Sequence, residues 1–150
     1  IIWHKPNCMP ESVKDRCTKA HEYIFLLSKN QKYYFDNEAI KEDAKSDTPD
    51  YKKWTGKRNK RSIWTVTTKP FKGAHFAVFP EDLIEPCILA GCPEGGTVLD
   101  PFMGAGTTAV VARKNNRNYL GFELNPKYVL IATKRLAGTV KQVSMAEVNK

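Results

Sequence analysis

The sequence has no apolar run near the roughly 18 residues that a membrane-spanning helix needs, and no secretory-type start. That removes any basis for a membrane or export role. Its four cysteines, Cys8, Cys17, Cys87 and Cys92, lack the CxxC pairing of a zinc site. The looser series His4, Cys8, Cys17, His21 matches no common zinc module, so reduced thiols and no metal are expected. No Gly-Lys-Ser/Thr triplet is present, which excludes a P-loop. The chain also lacks an initial Met; "IIWHKPN" reads like the middle of a strand and points to a fragment or a processed piece.

Acidic residues are missing from Tyr51 through Pro80, although the same stretch holds Lys52, Lys53, Lys57, Arg58, Lys60, Arg61, Lys69 and Lys72. Trp54 and Trp64 are interleaved with these cations, and the net charge is +8. Concentrated positive charge with aromatic interleaving suits a polyanion, most simply nucleic acid. What remains is ordinary for a soluble globular chain: 150 residues, 41% hydrophobic and 27% charged, enough for one domain with a real core.

"IIWHKP" reads as a strand closed by proline, and "HEYIFLLSK" (21–29) as a buried strand, the two forming an antiparallel pair across a polar loop. Residues 37–62 have little periodicity and much charge, and read as a mobile basic excursion. "SIWTVTT" is a short strand. "PEDLIEPCILAGC" is a helix with Pro80 in its first turn and Pro86 inside, where a kink or a delayed start is expected. From Thr97 the pattern becomes strand, helix, strand, helix with short loops, a parallel βαβ unit. The last helix has Asn125 as its cap, Pro126 at its first position and Gly138 past its end. These readings divide the chain into a strand pair (1–36), the basic excursion (37–62), a βαβα portion (63–138) and a tail (139–150).

The most informative run is "TVLDPFMGAGTT". Gly104, Gly106 and Ala109 satisfy G-x-G-x-x-G/A between a strand and a helix, and Glu123 closes the next strand. Glycines permit a tight turn and close backbone approach, and a carboxylate there accepts ribose hydroxyls. A nucleoside cofactor follows, in one of two classes. Asp100, immediately before the loop, is awkward beside a pyrophosphate but suits the ammonium and sulfonium charges of S-adenosylmethionine, with Thr107 and Thr108 available to its carboxylate. A nicotinamide-dependent oxidoreductase would rest on the glycine pattern alone.

"DPFMGAGTT" followed by "GFEL" resembles the cofactor motifs of DNA amino-methyltransferases, enzymes that methylate adenine N6 or cytosine N4. "GAHFAVFPEDLIEPCILAGCPEGGTVLDPF" resembles the segment preceding that loop in members with permuted motif order, and the likeness runs from Ile1 to about Leu136. The resemblance implies an α/β, Rossmann-like S-adenosylmethionine-dependent methyltransferase fold, here an incomplete part of a mixed seven-stranded sheet. It implies that Asp100, Phe102, Gly104, Gly106, Thr107 and Thr108 line the methionine and ribose part of the cofactor. Glu123 would hold the ribose hydroxyls, with Leu124 and Asn125 beside the adenine, and His75, Phe76 and Phe79 approaching from the other side. Lys57, Arg58, Lys60 and Arg61 would face double-stranded DNA. A cytoplasmic, DNA-associated bacterial or phage protein of a restriction–modification setting is implied as well.

One family feature is missing. Members carry an Asp/Asn/Ser-Pro-Pro-Tyr/Phe motif whose polar groups accept hydrogens from the target amine and whose aromatic ring stacks on a flipped base. No Pro-Pro pair occurs in this chain, and in the permuted order the motif would precede Ile1. The expectation is therefore a cofactor-binding and DNA-recognition half with no catalytic residue of its own. Its two strand groups should be unbridged and its apolar surface exposed, favouring an N-terminal half or a second copy as partner. The alternative is a non-catalytic module, or a subunit completed in trans.

Overall fold

The computed structural model describes residues 1–44, 56–71 and 78–147, with side-chain surroundings as far as residue 139. His75 and Phe76, together with Lys52, Lys53, Trp54 and Lys72, lie outside the described residues. The elements are strands β1 (Ile2–His4), β2 (His21–Tyr23), β3 (Glu42–Asp43), β4 (Lys57–Arg58) and β5 (Ile63–Thr65), then helix α1 (Glu81–Gly91), strand β6 (Thr97–Asp100), helix α2 (Thr107–Lys114), strand β7 (Asn118–Gly121) and helix α3 (Pro126–Glu147). A short 3-10 turn at Glu38–Ile40 precedes β3. Among the described residues, no helix is long and apolar enough to cross a membrane.

The expected antiparallel pair forms, with Ile2 opposite Tyr23 and His4 opposite His21. It is shorter than its sequence suggests. Pairing ends where the Ile24 N–H donates to the Ile1 carbonyl at 2.9 Å. "HEYIFLLSK" is therefore a three-residue strand rather than a buried one through residue 29, with Phe25 77% and Leu27 87% exposed. On its other edge β1 pairs in parallel with β5, placing Trp3 beside Trp64. Both indoles are buried and pack with Leu83, and each satisfies its N–H on a backbone carbonyl, Trp3 on Val66 and Trp64 on Arg61. Trp64 thus belongs to the core and is not an aromatic platform of the basic stretch.

The described ends of the basic excursion are built structure, not a loose loop. β3 and β4 form an antiparallel hairpin, and the Asp36 N–H donates to the Ala90 carbonyl at 2.9 Å, tying the segment to the end of α1. α1 starts directly after Pro80, whose extended backbone (φ −69°, ψ 150°) stands at the cap position, so Pro86 does not delay it. The N–H that Pro86 lacks would have bonded the Asp82 carbonyl.

β6 and β7 pair in parallel, Thr97 opposite Asn118 and Asp100 opposite Gly121, with α2 as the crossover. α2 is buried on every side from Thr107 to Ala112 because α1, α3 and the sheet enclose it; Val111 is 1% exposed and packs with Ile88 and Ala112. α3 begins as its sequence predicts, the Asn125 Oδ1 accepting the Lys127 N–H at 3.0 Å. It then continues through Gly138 to Glu147, so 139–147 is helix and not tail. A glycine costs a helix interior only about 1 kcal/mol, which the surrounding turns outweigh.

Among the described residues, β6–β7 and β2–β1–β5 are separate sheets with no strand between them. Parallel strands address each neighbour with alternate residues. The Gly96 and Asp100 carbonyls accept from Asn118 and Phe122 on the β7 side, so Thr97 and Leu99 address the open edge of β6.

Candidate functional site

The loop after β6 is held from both ends. Asp100 accepts the Phe122 N–H on its backbone carbonyl at 3.0 Å, and its carboxylate Oδ1 accepts the Phe102 N–H at 3.0 Å. Asp100 therefore caps the turn with one oxygen, an Asx turn, which leaves Oδ2 as an anionic acceptor. The Met103 N–H donates to the Phe122 carbonyl at 2.9 Å, and the Gly106 N–H donates to the Met103 carbonyl at 2.9 Å. Glu123 closes the ring: Oε2 accepts the Gly104 N–H at 2.8 Å and Oε1 accepts the Asn125 N–H at 2.7 Å. A carboxylate has about four acceptor positions, so each oxygen keeps one for a ligand.

Gly106 is required here on two grounds. Its φ is +79°, and a Cβ would stand 2.8 Å from the Ala132 Cβ on α3. The close approach seats α3 against the start of α2.

The other expected residues divide among three surroundings. Phe102 (89% exposed) and Leu124 (102%) stand free on the open side of the loop, with Asn125 also exposed. Thr108 and Asp100 border a cavity of about 760 Å³ that runs beside α1 and β6 and is walled by Phe79, Ile84, Ile88 and Leu99. Glu123 and Gly104 do not line that cavity. Thr107, in contrast, turns toward α3. Its Oγ1 accepts from the Arg135 guanidinium at 3.0 Å, and it is 3% exposed. Phe79 borders both the large cavity and a smaller one, about 200 Å³, on the Thr107 and Arg135 side.

Arg135 was not anticipated. The available signal was its spacing, three residues after Ala132, which puts both on one face of α3. The pair Glu42 and Asp43 was missed too, and it changes the picture of the basic cluster. Lys57 pairs with Asp43 at 2.7 Å, and Arg58 and Arg61 both pair with Glu42, at 3.0 and 2.8 Å. Lys60 lies over the Trp64 ring at 5.1 Å. Burial pushes the Glu42 carboxyl up, but the hydrogen bonds and charges of Arg61 and Arg58 outweigh it and hold the group below its ordinary value. The histidines of the His/Cys series are engaged as well, His4 with the Thr65 hydroxyl at 3.2 Å and His21 with the Tyr23 hydroxyl at 3.3 Å.

Residues 1–134 match the family model described as "DNA methylase". The chain is 55% identical over 138 residues to the type II methyltransferase M.Cfr9I of Citrobacter freundii, covering 92% of this chain and 43% of that protein. It is 52% identical over 136 residues to M.SmaI of Serratia marcescens, covering 91% and 44%. The chain thus spans less than half the length of these relatives. Among solved structures, the PvuII cytosine-N4-specific DNA methyltransferase superposes with a TM-score of 0.71 at 22% identity over 89% of this chain and 49% of that one, a likeness of fold. The M1.HpyAVI–SAM complex superposes with a TM-score of 0.62 at 27% identity, covering 91% and 59%.

Proposed function

Because the chain belongs to the DNA methylase family, we propose that it is the methyl-donor-binding and DNA-recognition half of an S-adenosylmethionine-dependent DNA amino-methyltransferase. The observation that carries this reading is the double backbone hold of Glu123 on Gly104 and Asn125, which leaves a carboxylate with spare acceptors at a strand end. Spare acceptors on two oxygens suit the two vicinal hydroxyls of a ribose. Leu124 and Phe102, both exposed, supply apolar surface for a base. The free Oδ2 of Asp100 and the positive end of α2 suit a cation and a carboxylate, the two charges of an amino-acid moiety.

The bound donor would supply a methyl group on a sulfonium centre. The residues of this chain bind and orient it: Glu123 fixes the ribose, Asp100 the ammonium, and the Gly104–Gly106 turn brings backbone within reach. None of them accepts hydrogens from a target amine, since no Pro-Pro pair is present. Methyl transfer to cytosine N4 or adenine N6 then requires groups beyond this chain, and the open edge of β6 with exposed Leu99 is where a further strand would add. Lys57, Arg58, Lys60 and Arg61 form the DNA-facing cluster.

Calorimetric titration with S-adenosylmethionine and with NAD tests the site directly. Binding of the first and not the second is expected, and the reverse would overturn the reading. A methyl-transfer assay of this polypeptide alone should give no product, whereas product would overturn its assignment as a donor-binding half.

A further inference from the structure

The guanidinium of Arg135 joins three elements at the start of α2. One nitrogen donates to the Ala105 carbonyl at 2.8 Å and to the Thr107 hydroxyl at 3.0 Å. The other pairs with the Glu81 Oε1 at 3.3 Å, and the Phe71 ring lies 4.9 Å beneath the guanidinium. Ala105 and Thr107 are 7% and 3% exposed, so their polar atoms have little access to water and depend on this cation. The cap residue of α2, Gly106, offers no side-chain bond of its own. A cation beside a helix N-terminus is disfavoured, and Glu81 offsets that charge. The same Glu81 takes Lys114 on Oε2 at 2.7 Å, so one carboxylate at the head of α1 reaches both ends of α2.

We infer that Arg135 is a positioning residue for the donor loop, holding Ala105 and Thr107 so that the Gly104–Gly106 turn keeps its binding shape. This rests on the reading of that loop as the S-adenosylmethionine site. A planar, forked cation bonds a carbonyl, a hydroxyl and a carboxylate at once while its face lies on a ring, a geometry that suits arginine better than lysine. The turn has two left-handed glycines, at φ +53° and +79°; Asp100 and Glu123 hold its first half, and Arg135 grips its second half at Ala105 and Thr107.

The test uses the full-length encoded protein, with donor affinity, DNA affinity and thermal melting measured side by side. Arg135→Ala should weaken S-adenosylmethionine binding by about tenfold or more and raise its KM alike, while kcat at saturation stays within about threefold. DNA affinity should stay at the wild-type level. Arg135→Lys, which keeps the charge but loses the fork, should recover part of the affinity. Glu81→Gln, which leaves the loop hydrogen bonds in place, should cost about threefold. Unchanged donor affinity in Arg135→Ala would overturn the inference, as would parallel loss of donor and DNA binding in step with melting. Should Arg135→Ala fail to fold, wild-type donor affinity in both other variants would overturn it instead. A wild-type protein without donor affinity would overturn the reading of the site itself, and the clamp with it.

Discussion

The carboxylate of Glu123 accepts the backbone N–H of Gly104 at 2.8 Å across 19 residues of sequence, joining the ends of two parallel strands. A loop held this way loses less freedom on binding than a free one, which is how preorganisation raises affinity. The same hydrogen bond explains why a glycine pattern and a distant acid work as one unit. The acid shapes the loop, and under the proposed function it would also receive the donor's ribose.

Glu123→Gln removes the charge and one of the two acceptors. The amide can accept one backbone N–H, but its NH2 faces the other. A hydrogen bond to a charged group contributes about 1.5–3 kcal/mol, so donor affinity should fall roughly 10- to 100-fold. Calorimetry on the variant checks this, and affinity within about twofold of wild type would remove Glu123 from the site.

Gly106→Ala places a methyl 2.8 Å from the Ala132 Cβ, on a backbone at φ +79°. The combined clash and left-handed strain should destabilise the protein by about 1–3 kcal/mol, read as a lower melting temperature. Adding Ala132→Gly relieves the clash and leaves the strain, so the double variant should recover only part of the loss. Full recovery would mean that close packing, not backbone conformation, selects glycine here.

Local features were the most legible from sequence. The β6–α2–β7 unit, the Asn125 cap and the β1–β2 pairing all follow from signals within a few residues. The parallel pairing of β1 with β5 joins positions about sixty residues apart, and no local pattern marks it; Trp64 therefore looked like an exposed aromatic when it is core. "HEYIFLLSK" misled for the opposite reason. Its composition suits a buried strand, but the strand stops at Tyr23, and Phe25 and Leu27 stand open. The helix end at Gly138 failed because a weak local preference lost to a continuing helix. The link of Glu123 to the glycine turn was legible because an acid closing the next strand goes with such a turn, and Asp100 stands directly before that turn. Arg135 was not, because its meaning lies in what α3 packs against.

Acid should loosen the β3–β4 hairpin in a defined window. The Glu42 carboxyl is held below its ordinary value of 4.5 by Arg61 and Arg58. A depressed folded-state value means that its stabilisation is present above pH 4.5 and is lost as pH falls through the lower, folded value. The protection factor of the Ala44 amide, whose N–H donates to the Gly56 carbonyl, should therefore fall on acidification in the wild-type protein. In Glu42→Gln that acid-dependent step should vanish, and its persistence would assign the effect to another group.

On the proposed DNA-facing role of this cluster, Glu42 would compete with DNA phosphate for the same two guanidiniums, and this gives the sharpest test of that proposal. Arg58 and Arg61 would then reach phosphate only by leaving Glu42 or by sharing with it, so the acid would lower the electrostatic part of DNA affinity. Glu42→Gln should tighten DNA binding by the full-length protein and steepen its salt dependence. Arg58→Ala and Arg61→Ala should each weaken binding and reduce the log–log salt slope by about 0.9 for each phosphate no longer neutralised. Lys60 stacks on Trp64, so Lys60→Ala should also lower stability slightly, whereas Lys57, paired with exposed Asp43 at 2.7 Å, should change affinity alone. Salt titrations of DNA binding for these five variants decide the matter. Slopes equal to wild type in both arginine variants would move the DNA-facing surface elsewhere, and unchanged affinity in Glu42→Gln would mean that the hairpin keeps its internal pairs while bound.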